Sequence, residues 1–201
     1  MEVETSSLQS KNIDITPIKE ILLKLINKAS QSSPLKQKEY NFIFEIVKLN
    51  PNILLEIGFS HEDIYDLIEK DEYLVSNILL NISKSNEYEL YLQYFLCKKF
   101  SVNSLKTVNK LIQRIEFPSV FIMSYLKKVI QDFKDESQPF LKERMAKLIT
   151  FFILNLLSHE HITIDIIPST INLFFNENYV FKELKVLQEK IYTYRNTKNN
   201  I

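Results

Sequence analysis

Three histidines, a single cysteine and a few clustered acids are the side chains from which chemistry could be built. His159 and His161 flank Glu160, while His61 stands far from them in sequence. Two imidazoles two residues apart can share a metal when they project from one face of a strand, but a tetrahedral site needs further ligands. Here the pair falls in a turn between helices, with no Cys or Asp cluster to complete the set, so a solvated turn is expected. His61-Glu62 begins like a zinc-protease helix, in which a second His is required at the fifth position. Tyr65 stands there instead, and that pattern fails.

Nucleophilic chemistry fares no better. Cys97 excludes an internal disulfide and fits a reducing compartment. It lies between Tyr94-Phe95-Leu96 and Lys98-Lys99 with no nearby His, so a buried, small apolar side chain is expected rather than a reactive thiol. Gly58 is the one glycine, too little for a phosphate-cradling loop, and no Ser sits in a recognisable strained turn. Asp132, Asp135 and Glu136 gather beside Lys134 at a helix end, as solvated surface does. The expectation is therefore no catalytic, cofactor-binding or metal-ligating residue, no cofactor, and no enzyme.

Basic residues form three groups: Lys98-Lys99, Lys127-Lys128, and Lys142 with Arg144 and Lys147. RNA binding is the alternative they raise. Formal net charge is zero, so bulk electrostatics draw in neither RNA nor an anionic membrane. In the third group, cations in the first turns of a helix oppose its dipole, at about 0.3–1 kcal/mol each when exposed. A carboxylate nearby or an anionic partner should compensate, and Glu143 favours an ion-paired face. Asn109 lies at the margin of a buried stripe, where an amide needs a partner, and it is expected to bond the backbone of a neighbouring helix.

The elements that carry these residues read as helices. A chain of 201 residues with 45% hydrophobic residues can bury a substantial core. Glycine scarcity disfavours sheets and hairpins, which use Gly where φ is positive. Thr16-Pro17 reads as a cap and first helical residue before Ile18, Ile21, Leu22, Leu25 and Ile26. Gln31-Ser-Ser-Pro34 introduces a helix with Tyr40, Phe42, Ile43, Ile46 and Val47 inside. Asn50-Pro51 opens a short helix ended by Gly58 as a left-handed cap.

Ser60 with Asp63 approximates a capping box before Ile64, Leu67 and Ile68. Asp71 restarts a helix around Leu74, Ile78, Leu79 and Ile82. Leu90, Tyr91, Tyr94 and Phe95 form the next stripe; with Tyr88 and Phe100 this is an aromatic-rich region, of which most is expected in the core. Ser101 caps a helix with Leu105, Val108, Ile112 and Ile115.

Pro118 begins a helix to about Lys134, and Asp135 to Pro139 breaks it. The helix from Phe140 to Leu157 carries apolar residues on several sides (Leu148, Ile149, Phe151, Phe152, Ile153, Leu154) and should lie at the centre. Helices near Ile164 to Phe175, with Pro168 at a start or kink, and from Tyr179 to Arg195 complete the chain. The strongest apolar run, Leu148 to Leu157, is much shorter than the roughly 20 residues of a membrane span. The acidic, polar N-terminus is unlike a signal peptide. The expected fold is all-α: an array of about eight or nine short antiparallel helices of HEAT-like character, without a sheet and without a fixed-period repeat. Residues 1–15 and 196–201 are expected to be disordered tails around a single domain, 16–195.

Order and spacing along Phe100 to Leu157 resemble one family. Ser101-Val-Asn-Ser104-Leu, Val108-Asn-Lys-Leu111, Glu116-Phe-Pro118 followed by Phe121-Ile122, and Arg144 and Lys147 before Leu148-Ile-Thr-Phe-Phe152 carry it. Asn50-Pro-Asn-Ile-Leu-Leu-Glu-Ile-Gly58 and Leu67-Ile-Glu-Lys-Asp71 extend it, so that it spans about Ile18 to Leu187. The family is subunit eleven of the CCR4-NOT deadenylase complex, and the likeness is to its C-terminal helical domain. The resemblance implies a non-catalytic interaction module in mRNA deadenylation, decay and translational repression, cytoplasmic and also nuclear. Implied partners are adaptor proteins, the tetratricopeptide subunit ten and the scaffold subunit, with no membrane. In the family an N-terminal helical domain makes the last two contacts, and these 201 residues resemble the C-terminal domain alone.

Overall fold

The computed structural model describes residues 15–159, 174 and 181–198. Among them are ten helices and no strand. They are α1 (Thr16–Ser30), α2 (Gln37–Leu49), α3 (Ile53–Glu56), α4 (His61–Leu67), α5 (Glu72–Ile82), α6 (Tyr88–Cys97), α7 (Val102–Ile112), α8 (Ser119–Asp135), α9 (Pro139–Ser158) and α10 (Lys182–Lys198). The all-α class stands, with ten helices among the described residues where about eight or nine were expected. The helix expected near Ile164 to Phe175, Pro168 and most of the two tails lie outside the described residues. Helix α10 continues past Arg195, through residues 196–198.

Local signals set most boundaries. Helix α3 closes with the Gly58 N–H on Leu55 O at 3.0 Å and the Phe59 N–H on Leu54 O at 2.9 Å, with Gly58 at φ +80. That is a Schellman closure, and the left-handed residue it needs is the glycine. Helix α1 closes identically on a non-glycine: the Ser32 and Ser33 N–H groups reach Ala29 O and Lys28 O, and Ser32 takes φ 58. Ser60 and Asp63 form the expected reciprocal box, Asp63 Oδ2 accepting from the Ser60 N–H at 2.8 Å. Ser101 caps α7 and accepts from the Ser104 N–H at 2.9 Å. At α1 the cap differs from expectation: Ile15 holds that position without a side-chain bond, and Thr16 is already helical. Helix α2 starts at Gln37, after Pro34, where Glu39 reaches back to the Lys36 N–H.

Packing arranges these helices in two rows. Helices α2, α5, α7 and α9 follow one another in one row, and α4, α6 and α8 in the other, with α10 against α9. Burying one stripe on each helix removes its apolar side chains from water, at about 25 cal/mol per Å². Aromatic rings run along the second row and then cross to the first: Tyr65 of α4 meets Phe95 of α6 at 5.4 Å, Phe95 meets Tyr125 of α8 at 6.2 Å, and Tyr125 meets Phe152 of α9 at 5.7 Å. Edge-on contacts of this kind contribute about 0.5–1.5 kcal/mol beyond the buried area.

Three side chains expected inside are outside. Ile21 of α1, Leu90 of α6 and Phe151 of α9 are exposed. The buried positions on α9 are Met145, Ala146, Ile149, Thr150, Phe152, Ile153 and Leu156, a single helical stripe. Phe151 falls off that stripe, so α9 is covered on a broad side rather than all round. On α6, Tyr88, Leu92 and Phe95 turn inward with Tyr91, which leaves Leu90 facing water.

Candidate functional site

The connector between α6 and α7 is clamped from two sides. Phe95 and Tyr65 pack together, and the Tyr65 hydroxyl donates to Lys99 O at 3.0 Å. Burial pushes the Tyr65 phenol upward in pKa, so it stays a donor. The Phe100 N–H donates to Asp132 Oδ2 on α8 at 2.8 Å, and the Phe100 ring is buried. Ser101 then starts α7, and its hydroxyl also bonds Glu69 of the α4–α5 turn.

This clamped connector floors an open cleft of about 440 Å³ lined by Glu69, Lys99, Phe100, Asp132, Leu141 and Arg144, among others. Glu136 and Met145 also line it. Each carboxylate already has a donor. Glu69 takes the Ser101 hydroxyl and lies 3.5 Å from the Asn103 amide; Asp132 takes the Phe100 N–H and pairs with Lys128 at 3.1 Å; Glu136 takes the Gln138 N–H at 2.9 Å. Lys99 and Arg144 are exposed and make no ion pair among the described residues.

The other sequence candidates scatter. His61 sits at the first turn of α4 with its ring 4.3 Å from Tyr91 and Nε2 3.8 Å from Glu87 Oε2. The Tyr91 phenol is pushed up to about 12 by burial, with the Glu87 charge adding to it. His159 caps the C-terminal end of α9, and His161 lies outside the described residues. No group of three His, Cys, Asp or Glu that could hold a metal occurs among the described residues. No helix there is long and apolar enough to cross a membrane.

Cys97 corrects the sequence reading. It is exposed, because it ends α6 on the side opposite Phe95. Asn109 does find a neighbouring helix, yet its Oδ1 accepts from the Asn155 side chain of α9 at 2.8 Å, not from a backbone donor. In the basic groups, Lys98 pairs with Glu62, Lys128 with Asp132 and Lys147 with Glu143, while Lys142 lies 5.2 Å from the centre of the Phe133 ring. Among the clustered aromatics, Tyr88, Tyr91, Phe95 and Phe100 are buried, as expected.

The cleft itself went unseen in the sequence. Lys99 and Arg144 stood in separate basic groups and Glu69 in a turn; only the fold makes them neighbours. The one local hint was Ser101, a helix start separated from Lys98-Lys99 by Phe100 alone.

Two rows of stacked helices with a shallow, mixed-charge cleft at a helix junction make this an all-α array protein with a surface site. Residues 68–192, more than half of the chain, match the family model described as CCR4-NOT transcription complex subunit 11. The chain belongs to that family. No curated protein matches it closely enough to count as a relative. The matched span contains the whole cleft, and it begins later than the likeness read from Ile18.

Proposed function

We propose that this chain is a non-catalytic docking module of the CCR4-NOT complex, which recruits adaptors or regulators for mRNA deadenylation, decay and translational repression. The observation that carries this reading is family membership over residues 68–192. Its partners would be proteins: the tetratricopeptide and scaffold subunits, and adaptors that bind a preformed surface between helices. Such work places it in the cytoplasm and also the nucleus. The rigid, aromatic-laced core suits the role, because a surface that is already formed loses little entropy on binding.

The alternative, an RNA-contacting array, has less support. Lys98, Lys128 and Lys147 are committed to carboxylates, one cation in each group, so no group turns all of its charge toward a phosphate backbone. Affinity purification of the tagged chain from its own cells, followed by mass spectrometry, tests the reading. Recovery of CCR4-NOT subunits is expected. A preparation with none of them, beside salt-sensitive binding of RNA, would overturn it in favour of the alternative.

A further inference from the structure

The cleft between the α6–α7 connector, the end of α8 and the start of α9 has an asymmetry of commitment. Its three carboxylates, Glu69, Asp132 and Glu136, are all occupied by donors of the protein itself. Its two cations, Lys99 and Arg144, are exposed and make no ion pair among the described residues. The charged groups left without a partner are thus the cations, although the carboxylates keep their charge and the lining as a whole is mixed. Beside the cations lies half-buried Leu141, with the buried Phe100 and Met145 behind it. One turn before Arg144, on the same side of α9, Phe140 is 75% exposed.

We propose that the cleft seats a short peptide segment of a partner protein, which sets a carboxylate against Lys99 and Arg144. A neighbouring apolar side chain of that segment lies on Leu141, and its flank covers Phe140. Arg144 suits the task, since a guanidinium fork meets a carboxylate with two parallel bonds. Mixed charge sets the class of ligand. A nucleic-acid backbone brings a phosphate at every nucleotide, and several would meet Glu69, Asp132 and Glu136. A peptide can place one acid where the cations are and neutral groups elsewhere. A cleft of about 440 Å³ holds a few side chains, within the usual range of ligand sites. This deepens the docking reading above by naming its surface and the chemistry of its partner.

Phage display of short random peptides on the purified chain tests the surface without reference to the complex, so it can fail while co-purification succeeds, and the reverse. The expected consensus is an Asp or Glu beside a Leu, Ile or Phe. Synthetic peptides of that consensus, measured by fluorescence polarisation, should lose about tenfold or more in affinity on Arg144→Glu. Exchanging the peptide acid for Lys should restore binding to that variant and not to the natural chain. Lys99→Ala should weaken binding less, and Phe140→Ser should weaken it without changing its salt dependence. Both Lys99 and Arg144 are exposed, so these variants leave the core intact, and an unchanged far-ultraviolet circular dichroism spectrum verifies it. A consensus without acids, no enrichment, or binding indifferent to Arg144→Glu would overturn the proposal. So would a fluorescent oligouridine that bound and lost affinity with the same variant.

Discussion

Asp71 joins two jobs in one carboxylate. Its Oδ1 accepts from the Leu74 N–H at 2.9 Å and caps α5, while Oδ2 accepts from the Tyr40 hydroxyl of α2 at 2.6 Å. Burial and this bond raise the Tyr40 phenol well above its ordinary pKa, so the proton stays on tyrosine and the bond is charge-assisted. Asp71→Ala removes a cap worth about 1 kcal/mol and strands a half-buried hydroxyl, for about 1–2 kcal/mol more. The expected loss is about 2–3 kcal/mol, or roughly 5–10 °C in Tm for a chain of this size. Tyr40→Phe removes the bond from the other side and leaves the cap, so about 1 kcal/mol is expected.

In the double variant no stranded group remains, and the loss should fall short of the two single losses added together by about 1–2 kcal/mol. Urea unfolding followed by circular dichroism, with an unchanged m-value, is the measurement. Additive losses would refute the reasoning, because they would mean that the carboxylate and the phenol do not feel each other.

Neighbouring phenylalanines on α9 offer a sharper contrast: Phe152 is 0% and Phe151 59% exposed. Phe152→Ala should cost about 3–5 kcal/mol, and Phe151→Ala within about 0.5 kcal/mol of nothing, by the same unfolding assay. The two left-handed closures should respond in opposite directions. Gly58→Ala meets no atom within 4 Å, so its expected loss of about 1 kcal/mol is conformational alone. Ser32→Gly should gain about 0.5–1 kcal/mol by relieving the same conformation. Glu39 is held below the usual carboxylate range first by the Lys36 N–H and then by Lys28. A depressed folded pKa contributes stability that is present above the unfolded value and disappears as pH falls through the folded one. Glu39→Gln should therefore flatten the acid limb of a Tm-against-pH curve, and an unchanged limb would disprove it.

What the sequence determined was everything carried by short-range chemistry. Gly58 had to end a helix, because it alone adopts positive φ without cost. Ser60, Asp71 and Ser101 had to begin helices, because their oxygens satisfy orphaned N–H groups a few residues on. Stripes such as Leu105-Val108-Ile112 named their buried face, and the ordered run from Phe100 to Leu157 named the family. Where helical stripes are broad, periodicity misjudged the edge, as at Leu90 and Phe151: which flank a neighbour covers depends on where that neighbour packs. Cys97 was misread for the same reason, since apolar neighbours in sequence lie on different sides of a helix. Only tertiary structure could bring Glu69, Lys99, Asp132 and Arg144 around one cleft. Their spacing follows no helical or strand period, and their meeting depends on how α8 and α9 lie against the α6–α7 connector.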